Sequence, residues 1–160
     1  MPDLQAPAPD DADPSTTAIR PLRAPDRADW ERLWRAYHAF YEAMVAPEIY
    51  DLAFERLLSD DPHEFHGLVA ERGGALIGLS HHLFHRHGWR RGPVVYLQDL
   101  YVDPEARGDG AGRALIEAVY ADADARGAEA VYWLTQDFNA PARRLYDQVA
   151  RVTPFIKYER

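Results

Sequence analysis

From Asp26 to about Met44, apolar residues recur at helical spacing. Trp30, Leu33, Trp34, Tyr37, Phe40, Tyr41 and Met44 fall on one face and predict an amphipathic helix. Pro47, in APEIYD, breaks the pattern, and a second helix is predicted over about 51–60, with Leu52, Phe54, Leu57 and Leu58 apolar. Ahead of both, TAIRPL (17–22) reads as a short strand. From Glu64 the period shortens. FHGLVAE, a turn at RGG and ALIGLSHHLFH predict a hairpin. VVYLQDLYV (94–102) is β-branched or aromatic at both parities, the pattern of a strand covered on both faces, and Pro104 ends it. A helix over 111–126 turns Leu115, Ile116, Val119 and Ala123 inward. AEAVYWLTQ (128–136) reads as another buried strand, NAPARRLYDQVA (139–150) as a helix and FIKY (155–158) as a last short strand. The order β-α-α-β-β-β-α-β-α-β, without internal repeats, predicts one α/β domain with a mixed sheet and helices on both faces.

Residues 1–16 stand outside this pattern. They are rich in Pro, Ala and Asp and read as a disordered tail ahead of a folded domain over 17–160. The 160 residues suffice for one sizeable core. The formal net charge of −8 argues against a general affinity for nucleic acid or anionic membrane, so neither is expected as a partner. There is no cysteine, which excludes disulfides, thiolate catalysis and thiolate metal sites. No apolar run has the length of a membrane span and nothing near Met1 resembles a signal peptide, so a soluble cytoplasmic protein is expected.

The candidate chemistry lies in EARGDGAGRAL (105–115), where a central strand gives way to a helix. Gly108, Gly110 and Gly112 alternate there between Arg107 and Arg113. A helix start offers unpaired amides and the positive end of a dipole. Glycines permit positive φ and close approach of an anion to the backbone, and the arginines can add charge toward a pyrophosphate. The loop is neither a Walker loop, which would end Gly-Lys-Ser/Thr, nor a GxGxxG fingerprint. On its own it reads equally as a phosphate cradle or as a tight turn, with Asp109 arguing against an anion unless its side chain points outward.

Residues 94–150 resemble the GCN5-related N-acetyltransferases (GNAT), and more narrowly their histone/polyamine acetyltransferase-like branch. Two motifs at the expected separation carry the resemblance: Arg107-x-x-Gly110-x-Gly112 and Asn139-x-x-Ala142-x-x-x-Tyr146. Weaker similarity, through WERLW, HGLVAE and the hairpin, extends over nearly the whole ordered chain. The resemblance implies a mostly antiparallel sheet with splayed central strands, acetyl-CoA as co-substrate, no metal, and direct transfer to a primary amine. Residues 107–113 (Arg107, Gly108, Asp109, Gly110, Ala111, Gly112 and Arg113) would hold the CoA pyrophosphate. The backbone of Leu100, Tyr101 and Val102 would bind the pantetheine arm as an added strand would. Asn139 would lie near that arm, and Tyr146 would protonate the departing thiolate. Asn139 and Tyr146, seven residues apart, share nearly one helix face. The bland alternatives are an N-cap for Asn139 and a core tyrosine for Tyr146.

The base is where the chain departs from the best-known polyamine enzymes, which carry glutamate at the position of Gln98. Glutamine cannot take a proton. Asp99 is next to Gln98, but alternation puts it on the opposite face unless a bulge intervenes, so a water chain is expected, with Asp99 the only strand carboxylate available to it. Trp34 and Tyr41 are candidates to line an acceptor pocket, where aromatic faces suit a cation. Arg143 is a candidate for the CoA 3′-phosphate. His81, His82, His85 and His87 read as a solvated or interface strand more readily than as a metal site, with a histidine that helps to deprotonate the amine as a further reading. The expected acceptor is a small amine, a polyamine or an amino-acid-like molecule. A protein lysine or N-terminus, and a non-catalytic acetyl-CoA-binding regulator, are the alternatives. FIKY offers an edge through which a homodimer could pair.

Overall fold

The computed structural model describes residue 13 and residues 15–160, so the N-terminal tail lies almost wholly outside the described residues. The elements are β1 (Ala18–Pro21), α1 (Arg27–Phe40), α2 (Pro47–Leu57), β2 (His66–Arg72), β3 (Ala75–His85), β4 (Val94–Val102), α3 (Ala111–Ala125), β5 (Val131–Tyr132) and α4 (Ala140–Val149). The strands follow chain order across one sheet. β1 to β4 pair antiparallel and β5 joins β4 in parallel.

Alternation along the strands divides the core between two faces. On one, Trp30, Leu33 and Trp34 of α1 and Tyr50 and Leu57 of α2 pack on Val69, Leu76, Leu79 and Tyr101. On the other, Leu115, Ile116 and Val119 of α3 cover Ala70, Val95, Leu97 and Val102, and Leu145, Tyr146 and Val149 of α4 join them. Among the described residues, no helix is long and apolar enough to cross a membrane.

The pattern overstates three elements and displaces a fourth. The first helix ends at Phe40, short of Met44. The Glu42 N–H bonds Ala39 O and the Ala43 N–H bonds His38 O, with Glu42 at φ 52, which is a Schellman closure carrying glutamate where glycine is usual. Phe40 and Met44 are consequently exposed, at 55% and 99%. Pro47 opens α2 instead of merely breaking the chain, because its fixed φ and missing N–H suit a first helical position. The strand expected over 128–136 shortens to Val131–Tyr132, where β4 and β5 diverge. FIKY is exposed and forms no strand, so the edge expected to support a homodimer is absent.

Candidate active site

β4 bonds β3 over its whole length but β5 only at Val95↔Val131 and Tyr96↔Tyr132. From Leu97 to Val102 its other edge faces a gap. The Asp103 N–H bonds Ile77 O across β3, so alternation points the Tyr101 peptide toward β3 and the Leu100 and Val102 peptides into the gap. The register supplies a second feature. His82 pairs with Leu97 and His81 with Asp99, which leaves Gln98 as the extra residue of a bulge. Gln98 opens on the gap and is exposed, whereas Asp99 is buried beneath α1 at 6% exposure. The bulge that the alternation argument required is present.

The gap forms a narrow cleft. Tyr37 and Tyr41 border it from α1, Leu97, Gln98 and Leu100 from β4, Trp133 and Leu134 from beyond β5, and Tyr146 from α4. No lysine, arginine or carboxylate is among these lining residues. The Tyr146 ring stands edge-on to Trp133 at 5.3 Å between centroids. Burial, aided by the neighbouring Tyr41, pushes the Tyr146 phenol up to about 12. Burial and Asp99 likewise raise Tyr41. Asn139 stands at the N-cap position of α4, but its side chain makes no cap bond. Its Nδ2 donates to Thr135 Oγ1 at 3.2 Å.

Beneath the cleft, Asp99 accepts from Trp34 Nε1–H at 3.2 Å and pairs with His81 Nδ1 at 2.8 Å, both through Oδ2. Trp30 Nε1–H donates to His81 Nε2 at 2.8 Å. Burial pushes the Asp99 carboxyl up, but hydrogen bonds from His81, Tyr37 and Trp34 together outweigh it and hold the group below its usual range. Burial and the same carboxylate push Tyr37 strongly up. Trp34, expected at the acceptor pocket, is 7% exposed and bears on the cleft through Asp99.

The glycines of the β4–α3 turn act differently. Gly108 and Gly110 have φ 91 and 85, which L side chains adopt at a cost. Gly112 is a packing position, where a Cβ would stand 3.3 Å from Leu145 Cδ2 on α4. Ala114 N–H to Gly110 O is the first helical bond, so the Ala111, Gly112 and Arg113 amides have no partner within the helix. Asp109 turns outward to Arg72 at 3.1 Å, which removes the objection its charge raised. Arg107 lies back on its own strand, with Nε donating to Val102 O at 2.9 Å and the guanidinium 5.6 Å from the Tyr101 ring centre. Arg113 bonds Gln148, and Arg143 donates to Asp137 O at 2.6 Å.

The four hairpin histidines separate. His81 lies under α1, and His82 faces α3, where Nε2 pairs with Asp122 at 2.7 Å. His85 meets the Tyr132 hydroxyl at 2.8 Å, and His87 Nδ1 accepts from the Trp89 N–H at 3.2 Å. Trp30 and Thr135 carry no site expectation from the sequence, whereas Tyr37 lies on the aromatic stripe of Trp34 and Tyr41, and His81 is among the histidines that could help to deprotonate the amine. For Trp30 the sequence signal was two tryptophans at i, i+4 over a histidine-bearing strand, since buried indole N–H groups need acceptors.

A mixed sheet parted between β4 and β5, beside a glycine-rich helix start, is the N-acetyltransferase fold. Residues 30–150 match the model of the acetyltransferase (GNAT) family, and the chain belongs to that family and is an acetyltransferase. It is 39% identical over 145 residues to the D-amino-acid N-acetyltransferase HPA3 of Saccharomyces cerevisiae, covering 89% of each chain. It is 30% identical over 140 residues to the thialysine N-epsilon-acetyltransferase of Mus musculus, covering 82% of each. Among solved structures, the aminoglycoside N-acetyltransferase AAC(6')-Iy, in complex with a CoA-containing bisubstrate analog, superposes with a TM-score of 0.78 at 20% identity. That match covers 91% of this chain and 98% of the other.

Proposed function

We propose that this acetyltransferase moves an acetyl group from acetyl-CoA directly to the primary amine of a small molecule. The acceptor class is a small amine, a polyamine or an amino-acid-like compound. The observation that carries the reading is Tyr146: a phenol kept protonated by burial, bordering the cleft beside the open edge of β4.

Acetyl-CoA, when bound, supplies an activated acetyl thioester. The unpaired amides at the start of α3 and the left-handed glycines before them fit its pyrophosphate. Arg107 and Arg113 add positive charge on turning from Val102 and Gln148. The Leu100 and Val102 peptides fit the pantetheine amides, and Leu100 N–H is the backbone donor available to charge developing on the acetyl oxygen. Tyr101 contributes by packing under α1. Asn139 orders the far wall through Thr135.

An uncharged, phenol-rich lining over a buried carboxylate suits a cationic ammonium. The ammonium must lose a proton before the nitrogen can attack. Tyr37 borders the cleft and its phenol feels the Asp99 carboxylate, so in this reading the ammonium proton passes to the Tyr37 oxygen as the Tyr37 proton passes to Asp99. Tyr146 then gives its proton to the departing sulfur, and its phenolate takes back the proton that the acylated nitrogen loses. Gln98 orients the acceptor by hydrogen bonding and carries no proton. Both relatives described above are named for amino-acid acceptors, which supports the amino-acid-like class first.

The test is thiol release from acetyl-CoA against D- and L-amino acids, spermidine, an aminoglycoside and a histone-tail peptide. Release confined to one small-amine class is expected. Release only with the peptide would overturn the acceptor class, and none at all, with tight acetyl-CoA binding, would overturn direct transfer to these amines.

A further inference from the structure

We infer that Trp30 and His81 are positioning residues which hold Asp99 as an oriented carboxylate. The inference rests on the reading of Asp99 as the group that takes the acceptor's proton. An indole N–H can only donate. Trp30 Nε1–H points at His81 Nε2 from 2.8 Å, so Nε2 must present its lone pair. The imidazole proton therefore resides on Nδ1, where it faces Asp99 Oδ2 at 2.8 Å. Trp34 Nε1–H donates to the same oxygen at 3.2 Å. Two tryptophans thus act on one carboxylate, one directly and one by choosing the tautomer of the histidine between them.

This chain is dry. Trp30 is fully buried, His81 is 3% exposed and Asp99 is 6% exposed. Polar groups so placed are costly unless each is satisfied. Here the His81 and Trp34 donors converge on Asp99, and the neighbouring Tyr37 lines the cleft. The titratable groups that face Asp99 are Tyr37, His38 and Tyr41 from α1, His81 from β3 and Tyr96 from β4, and α2 adds Tyr50 against His38. None is a lysine or arginine, so neutral donors do the work that a permanent cation would otherwise do.

Two measurements test this. In the intact protein, nitrogen-15 NMR of the His81 ring at neutral pH should show a protonated Nδ1 and an unprotonated Nε2. The opposite tautomer would overturn the inference without any variant being made. Kinetics form the second arm. Removing the donor in His81→Leu should raise the Asp99 carboxyl, so the acid limb of the kcat profile moves up by about a pH unit. kcat at neutral pH should fall roughly tenfold or more, with KM for the amine little changed. His81→Asn, whose amide can donate from near the Nδ1 position, should restore most of both. A His81→Leu variant that loses thermal stability but keeps limb and kcat would reduce the network to a structural one. Asp99→Asn separates the two readings. If it leaves kcat intact, Asp99 is not the proton acceptor and the parent reading fails. If it is crippled while His81→Leu is not, the parent reading stands and the positioning role falls.

Discussion

Tyr146 and Asp99 illustrate how the neighbours of a buried side chain set its chemistry in opposite directions. Tyr146 meets apolar surroundings and keeps its proton, whereas Asp99 meets converging donors and loses it. The first has a measurable consequence. With the phenol pushed up to about 12, its acid form persists far above the ordinary tyrosine range, so kcat should show no basic limb from Tyr146 between pH 8 and about 10. A decline centred near 10 would mean that the phenol titrates as an exposed one. Arg107 provides a second residue-scale prediction. Arg107→Ala should weaken CoA more than pantetheine lacking the pyrophosphate, and calorimetry with both ligands decides it. Equal losses would restrict Arg107 to holding Val102 O. Tyr146 was legible in the sequence because a paired motif surrounds it. The His81–Asp99 contact was not, since it depends on an extra residue at Gln98 that no periodicity announces.

At the scale of elements, the β4–α3 turn shows why three alternate glycines are not equivalent. Gly110→Val places a β-branched residue at φ 85, with open space around the new Cβ. The fold should survive while the strained turn and the added side chain close the anion site, weakening CoA by roughly 100-fold. Unchanged affinity would contradict the loop assignment. Gly112→Val instead drives α4 from α3 through Leu145 and should lower stability by about 1–3 kcal/mol in denaturant unfolding. Helices α1 and α3 were legible because one apolar face repeats over several turns. The end of α1 was not, because Glu42 takes a conformation that its residue type does not advertise. β5 was misjudged for another reason: VYWLTQ has strand composition, but composition does not say where a partner strand turns away. That divergence creates the cleft, so the least legible part of the sheet is the functional part.

At the scale of the molecule, burial pushes His38, His66 and His82 down. In the pH range between their folded values and the ordinary value of about 6.5, the unfolded chain binds more protons than the folded one. Their contribution is therefore present above about pH 6.5 and lost as the pH falls through it. Tm should decline from pH 7.5 to 5.5, before the carboxylates titrate, and a flat profile would contradict the burial of these rings. The class of fold and its loop were legible over the whole chain, and the acceptor was not, because the cleft draws Tyr37, Tyr41, Trp133 and Tyr146 from elements distant in sequence.

The most direct test of direct transfer with Tyr146 as the acid compares wild type with Tyr146→Phe, measuring amine-dependent thiol release and acetyl-CoA affinity on the same samples. A loss in kcat of about ten- to a thousand-fold is expected, with affinity nearly unchanged. Equal turnover by the two proteins would contradict the role of Tyr146 as the acid.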